Sequence, residues 1–158
     1  MIRLLTLRCI LLYGAFAWLA AASAFAQLQQ FPTAELTIVT AGGPHKFAVE
    51  IATTPAQMEQ GLMFRRSLAA DGGMLFDYGQ PSMAAMWMKN TLIPLDMLFV
   101  NDQGRIVNIR ERAVPGSLET IPAAAPVRVV IELNGGTVAR LGIRPGDRIL
   151  YPIFRDAG

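Results

Sequence analysis

The hexapeptide Leu95-Asp96-Met97-Leu98-Phe99-Val100 is apolar at both parities apart from one carboxylate, and Asn101-Asp102-Gln103-Gly104 and a second strand-forming stretch, residues 105–112, follow it directly. Side chains of a strand alternate between its two faces, so a run that is apolar on both has to be covered on both. Asn-Asp-Gln-Gly is hairpin-turn chemistry and joins the two stretches as antiparallel neighbours. A chain containing this pair folds around a sheet packed from two sides.

The rest of the chain supplies more strands and little helix. Residues 35–40 and 47–52 alternate, with Gly42-Gly43-Pro44 as their turn. Thr54-Pro55-Ala56-Gln57 puts a hydroxyl at the N-cap, Pro at the first helical position and Gln at the third, a capping box opening a short helix that Gly61 ends. Asp71-Gly72-Gly73 turns into a strand over 74–78, and residues 83–91 and 127–133 are further strands. Asn134-Gly135-Gly136 introduces a second short helix, 137–141, capped by Gly142, and Arg144-Pro145-Gly146-Asp147 turns into a closing strand, 148–154. Residues 113–126 contain Pro115, Pro122 and Pro126 and form a long irregular loop, a kind that often carries function. About eight strands and two short helices, without regular alternation, make a mainly β fold with short helices, a β-rich α+β class. The expected architecture is a compact, mostly antiparallel, barrel-like domain.

Arg3 and Arg8 precede an apolar run, residues 9–22, and Ala24-Phe25-Ala26 has the small–x–small form of a cleavage site. Residues 1–26 therefore read as a secretory signal peptide and residues 27–158 as a single domain. The run is nearly long enough for a membrane anchor, but its Ala-rich end and the switch to Gln27-Leu28-Gln29-Gln30 favour cleavage. The expected location is periplasmic or secreted, with no membrane association once the leader is gone. Cys9 is the one cysteine and leaves with the leader, which excludes disulfides, thiolate nucleophiles and Cys-ligated zinc. The net charge of +2 also belongs to the leader, because without Arg3 and Arg8 there are 12 basic residues against 12 acidic. A neutral domain does not steer anions over long range, and the sequence shows no basic-aromatic patch for nucleic acid.

Several polar residues break the apolar pattern. Asp96 needs a partner, since burying it unpaired would cost several kcal/mol. Lys89 stands upstream across Thr91-Leu92-Ile93-Pro94, where the chain can turn back, and Arg65 and Arg105 compete for the same carboxylate. Trp87 and Lys89 share a face at period two with Ala85 and Thr91, while Met86, Met88 and Asn90 share the other. Trp87 is expected to be a largely buried core anchor. Glu132 interrupts the apolar run of 129–133 and shares parity with Val130, which makes it more suspect than Glu50, whose place fits a solvent face. Met83, Met86 and Met88 raise thioether binding of Cu(I), but their parities point them apart and His45 is the only imidazole. Ser67, Ser82 and Ser117 lie in loops without a nucleophile elbow, and no phosphate loop or metal-binding His pair is present. No cofactor and no metal site is expected.

The chain resembles the DUF192 family of uncharacterised proteins, also called UPF0127. The match is carried by Gln60-Gly61-Leu62-Met63-Phe64-Arg65, by Gly73-Met74-Leu75-Phe76 and by Trp87-Met88-Lys89-Asn90-Thr91-Leu92-Ile93-Pro94-Leu95-Asp96. Phe99, Asp102-Gln103-Gly104, Ile131-Glu132-Leu133 and Gly146-Asp147 also fit, so it covers essentially residues 45–151. Met97 and Leu98 depart from the usual isoleucine and variable residue, which concerns packing alone. The resemblance implies a compact, β-rich, often exported domain and no particular activity.

These observations lead to an expected non-catalytic binding or accessory module, with a polar cleft around Arg65, Trp87, Lys89, Asn90, Asp96 and Glu132. Its partner would be a small polar ligand, an envelope polymer or a protein. A hydrolase with Asp96 or Glu132 as general acid/base and Lys89 as electrostatic stabiliser is the alternative. Methionine-based Cu(I) binding ranks below both.

Overall fold

The computed structural model describes residues 28–154. The signal peptide expected over 1–26 lies outside them. Strands β1 (Thr33–Thr40) and β2 (Gly43–Ala52) form the first hairpin, turning through residues 41–42, with Thr40 opposite Gly43. Helix α1 (Pro55–Gln60) opens with the capping box: Thr54 Oγ1 accepts from the Gln57 amide at 3.3 Å, and Gln57 Oε1 accepts from the Thr54 amide at 3.2 Å. It carries the chain across to β3 (Gly72–Ser82), which runs parallel to β2. This parallel pair departs from an otherwise antiparallel sheet, because α1 supplies the crossover that parallel neighbours require.

Strands β4 (Ala85–Met86) and β7 (Ile121–Pro122) pair only with each other. Strands β5 (Leu95–Val100) and β6 (Ile106–Ala113) make the second hairpin, and β8 (Val127–Asn134) inserts between β5 and β3. Helix α2 (Thr137–Leu141) ends at Gly142, whose φ of 66° is left-handed, and β9 (Arg148–Leu150) lies beside β1. The seven-stranded order is β6-β5-β8-β3-β2-β1-β9. The sheet curls until its two edges touch: Arg105 bridges Arg148, and the Ile149 amide donates to Gly104 O at 2.7 Å. Among the described residues no helix is long and apolar enough to cross a membrane.

Both faces of β5 are buried, as the apolar run requires. Leu98 and Val100 join Leu36, Ile38, Val49, Leu75 and Ile131 in a core that fills the curl. Leu95, Met97 and Phe99 face a second layer with Met74, Phe76 and Val130, roofed by Leu62, Met88 and Ile121. The roof comes from irregular segments rather than a second sheet, and its incomplete coverage creates the site.

Two expected strands are shorter than their patterns suggest. Of residues 83–91 only Ala85–Met86 is strand. Asn90 adopts φ 56°, a left-handed conformation that asparagine tolerates, and the Thr91 amide donates to Met88 O at 3.0 Å, closing a turn. The bonds a ladder would need go instead to the 113–126 loop, where the Met88 amide donates to Ser117 O at 3.0 Å and the Gly116 amide to Met88 O at 3.1 Å. At the C-terminal end β9 stops at Leu150, two residues before Pro152, which has no amide to donate.

Candidate functional site

Strand β8 alternates between the two layers, sending Val129, Ile131 and Leu133 into the curl and Val130 and Glu132 toward the roof. Glu132 stands opposite Met74 on β3 and Met97 on β5, so both of its cross-strand neighbours are apolar. It is 4% exposed, and no group among the described residues donates a hydrogen bond to its carboxyl. No fully enclosed side-chain oxygen or nitrogen among these residues lacks a partner. The Glu132 carboxyl therefore opens onto a cavity of about 260 Å³ that it lines.

The cavity is walled by Met58, Met63 and Met86, by Phe76, Tyr78 and Trp87, and by Thr91, Glu59 and Gln60. Gly61 shapes the wall near Phe76: its φ is 47°, and a Cβ there would sit 3.0 Å from the ring. Burial pushes the Glu132 carboxyl up to about 8 from the usual 4.5. Tyr78 is also raised, first by burial and then by the Glu132 charge. Its hydroxyl donates to Met86 Sδ at 3.4 Å, and Thr91 Oγ1 donates to Lys89 O at 3.4 Å. Glu132 is thus the one buried polar group of the cavity wall without a protein partner among the described residues.

The six residues singled out from the sequence separate in space. Trp87 and Glu132 meet at the cavity. Trp87 is 46% exposed and is no core anchor; the turn at 88–91 leaves it on the roof rather than under it. The shared face of Trp87 and Lys89 survives locally, with the ammonium 5.0 Å from the ring centre. Asn90 is exposed at the rim, its carbonyl accepting from the Phe64 amide at 2.9 Å and its Nδ2 lying 3.8 Å from Met63 Sδ. Arg65 pairs with Glu50 at 2.7 Å, so Glu50 is not simply a solvent-facing residue.

Asp96 lies apart from the cavity. Its carboxylate is fully buried and accepts from the Arg112 amide at 2.8 Å, the Gly136 amide at 3.0 Å and the Val138 amide at 2.8 Å. Backbone donors, rather than Lys89, Arg65 or Arg105, answer its burial, and they fasten the start of α2 to the end of β6. Asp96 stands opposite Leu133 and so on that residue's face, whereas Glu132 stands opposite Met97 on the other. The two carboxyls point to opposite sides of the sheet and do not converge.

The three methionines weighed for copper also diverge: Met88 is fully buried in the roof, Met83 is exposed and Met86 is at the cavity. Among the described residues no group of three or more His, Cys, Asp or Glu is placed to hold a metal ion. Met58, Glu59, Gln60, Met63, Tyr78 and Thr91 were not singled out as site residues. One signal did point to some of them, since the motifs at 60–65 and 87–96 that carried the resemblance fold against one another and supply much of the wall.

The DUF192 profile, for a family described only as Uncharacterized ACR, matches residues 37–151. The chain belongs to the DUF192 family. Two solved structures resemble this DUF192 chain over most of its length. One, from Sinorhizobium meliloti 1021 and described as a proposed transcription regulator, is 48% identical, covers 80% of this chain and 99% of its own, and has a TM-score of 0.77. The other, a protein of unknown function from Novosphingobium aromaticivorans, is 43% identical, covers 84% and 94% respectively, and has a TM-score of 0.76. Comparison with the curated proteins gave no match.

Proposed function

We propose that this DUF192 protein is an exported, non-catalytic binding domain that takes a small molecule in the Glu132 cavity. The observation that carries the reading is a buried carboxyl without a protein partner, facing open space. A group so placed gives up much of its hydration with no protein donor in return, and perturbed ionisable groups in a cleft concentrate at functional sites. The cavity is smaller than the roughly 300–1,000 Å³ of drug-sized sites, which suits a small ligand or one end of a larger one. Export rests on the leader-like residues 1–26.

A hydrolase would be better supported by two convergent carboxylates, and Asp96 is committed to backbone amides on the other face. Soft-metal binding is disfavoured because the sulfurs of Met63 and Met86 already face Asn90 and Tyr78 donors. The Sinorhizobium relative's description suggests nucleic acid, but the even balance of charge beyond residue 26 lacks the excess of basic residues that favours phosphate binding.

Solvent mapping tests the site. Crystals soaked separately in acetonitrile, acetone and isopropanol are expected to show the three solvents overlapping in the Glu132 cavity. Clustering only elsewhere, for instance in the groove of Lys89, Leu92, Pro115 and Leu118, would overturn the assignment.

A further inference from the structure

We propose that the ligand of the Glu132 cavity is a small organic ammonium ion, an inference that rests on the cavity being a ligand site. Its wall contains two carboxyls, Glu132 and Glu59, and no Lys, Arg or His. An anion entering would meet acidic groups and no counter-charge, whereas a cation would find the one partner Glu132 lacks. The remaining surface suits an alkylated cation rather than a strongly hydrated one. Phe76, Tyr78 and Trp87 offer aromatic rings, which attract cations through their quadrupoles, and Met58, Met63 and Met86 offer polarizable thioethers. The molecule already shows this affinity at the rim, where Trp87 holds the Lys89 ammonium 5.0 Å from its centre.

A neutral hydrogen-bonding ligand is served less well. The Tyr78 and Thr91 hydroxyls already donate within the protein, and a neutral guest takes only hydrogen bonds from Glu132 and Glu59, without the charge attraction that both offer a cation.

Binding of a permanent cation carries a proton signature. Burial makes Glu132 hold its proton up to about pH 8, so the ammonium has to displace that proton to gain its counter-ion. The titratable groups sharing the cavity wall are Tyr78 from β3 and Glu59 from α1, with Lys89 at the rim; the partners across β3 and β5 are Met74 and Met97.

The test titrates the protein with tetramethylammonium, which has no proton of its own, and with 1-pentanol and butyrate as neutral and anionic probes. Calorimetry reads affinity and amide NMR shifts read location. Tetramethylammonium is expected to shift residues 58–63, 85–91 and 132, with affinity rising roughly 100-fold between about pH 6 and about pH 9. Glu132→Gln is expected to remove the pH dependence and weaken binding at least about tenfold at the higher pH. Trp87→Ala, at an exposed position, is expected to weaken binding without unfolding the protein. Preference for 1-pentanol or butyrate at the same residues would overturn the ammonium inference and leave the cavity as a ligand site. A response to none of the probes would also overturn it, and solvent overlap in the soaked crystals would then show whether the cavity reading falls as well.

Discussion

Asp96 and Glu132 are both buried acids on neighbouring strands of one sheet, and they meet the cost of burial differently. Asp96 recovers its lost hydration from three backbone amides. Glu132 has no such donor among the described residues and keeps its proton instead. A carboxyl whose folded value is raised from 4.5 to about 8 binds a proton in the native state that the unfolded chain has released across that window. Stability is therefore complete below the unfolded value, declines as pH rises toward about 8, and is flat above it. Glu132→Gln removes the penalty. Urea unfolding is expected to find the variant more stable than wild type at about pH 9, on the order of 3–5 kcal/mol, and nearly equal at about pH 4. Parallel pH profiles for the two proteins would show that the carboxyl ionises without hindrance.

At the scale of elements, the roof over β3, β5 and β8 sorts its side chains by turn geometry rather than by strand parity. Met88 points down, fully buried, and Trp87 beside it stays half out. Trp87→Ala is expected to cost less than about 1 kcal/mol, as surface substitutions do, while Met88→Ala costs about 2–5 kcal/mol through the cavity it leaves. Denaturant midpoints measure both, and a large loss at Trp87 would restore it to the core. The contrast marks what the sequence can disclose. The Thr54–Gln57 capping box, the turn at 101–104 and helix 137–141 are legible because each is decided by neighbours within a few residues. The buried Glu132 stood out for the same reason, as a charge at apolar parity. The partners of Asp96 were not legible, because backbone amides have no letter in the sequence and those of Gly136 and Val138 come from about 40 residues away. Residues 83–91 misled because their alternation was real, but their hydrogen bonds went to the 113–126 loop.

For the whole molecule, export predicts that the protein outside the cytoplasm begins at Gln27, which intact-mass measurement of periplasmic and culture fractions would show. Recovery of the full-length chain only in membranes would defeat it. The sheet order bears on how such a chain would travel. Strand β8 is the seam between the two halves, with β5 and β6 on one side and β3, β2 and β1 on the other, yet it is next to last among the nine strands to be synthesised. Until residues 127–134 are available, β3 and β5 have no common neighbour, and Met74 and Met97 lack the Glu132 that stands between them. Contacts so distant along the chain close late and slowly, because the loop entropy is lost before pairing repays it. The seven-stranded sheet therefore cannot close before residues 127–134 exist, so its two halves are joined only after most of the chain has been made.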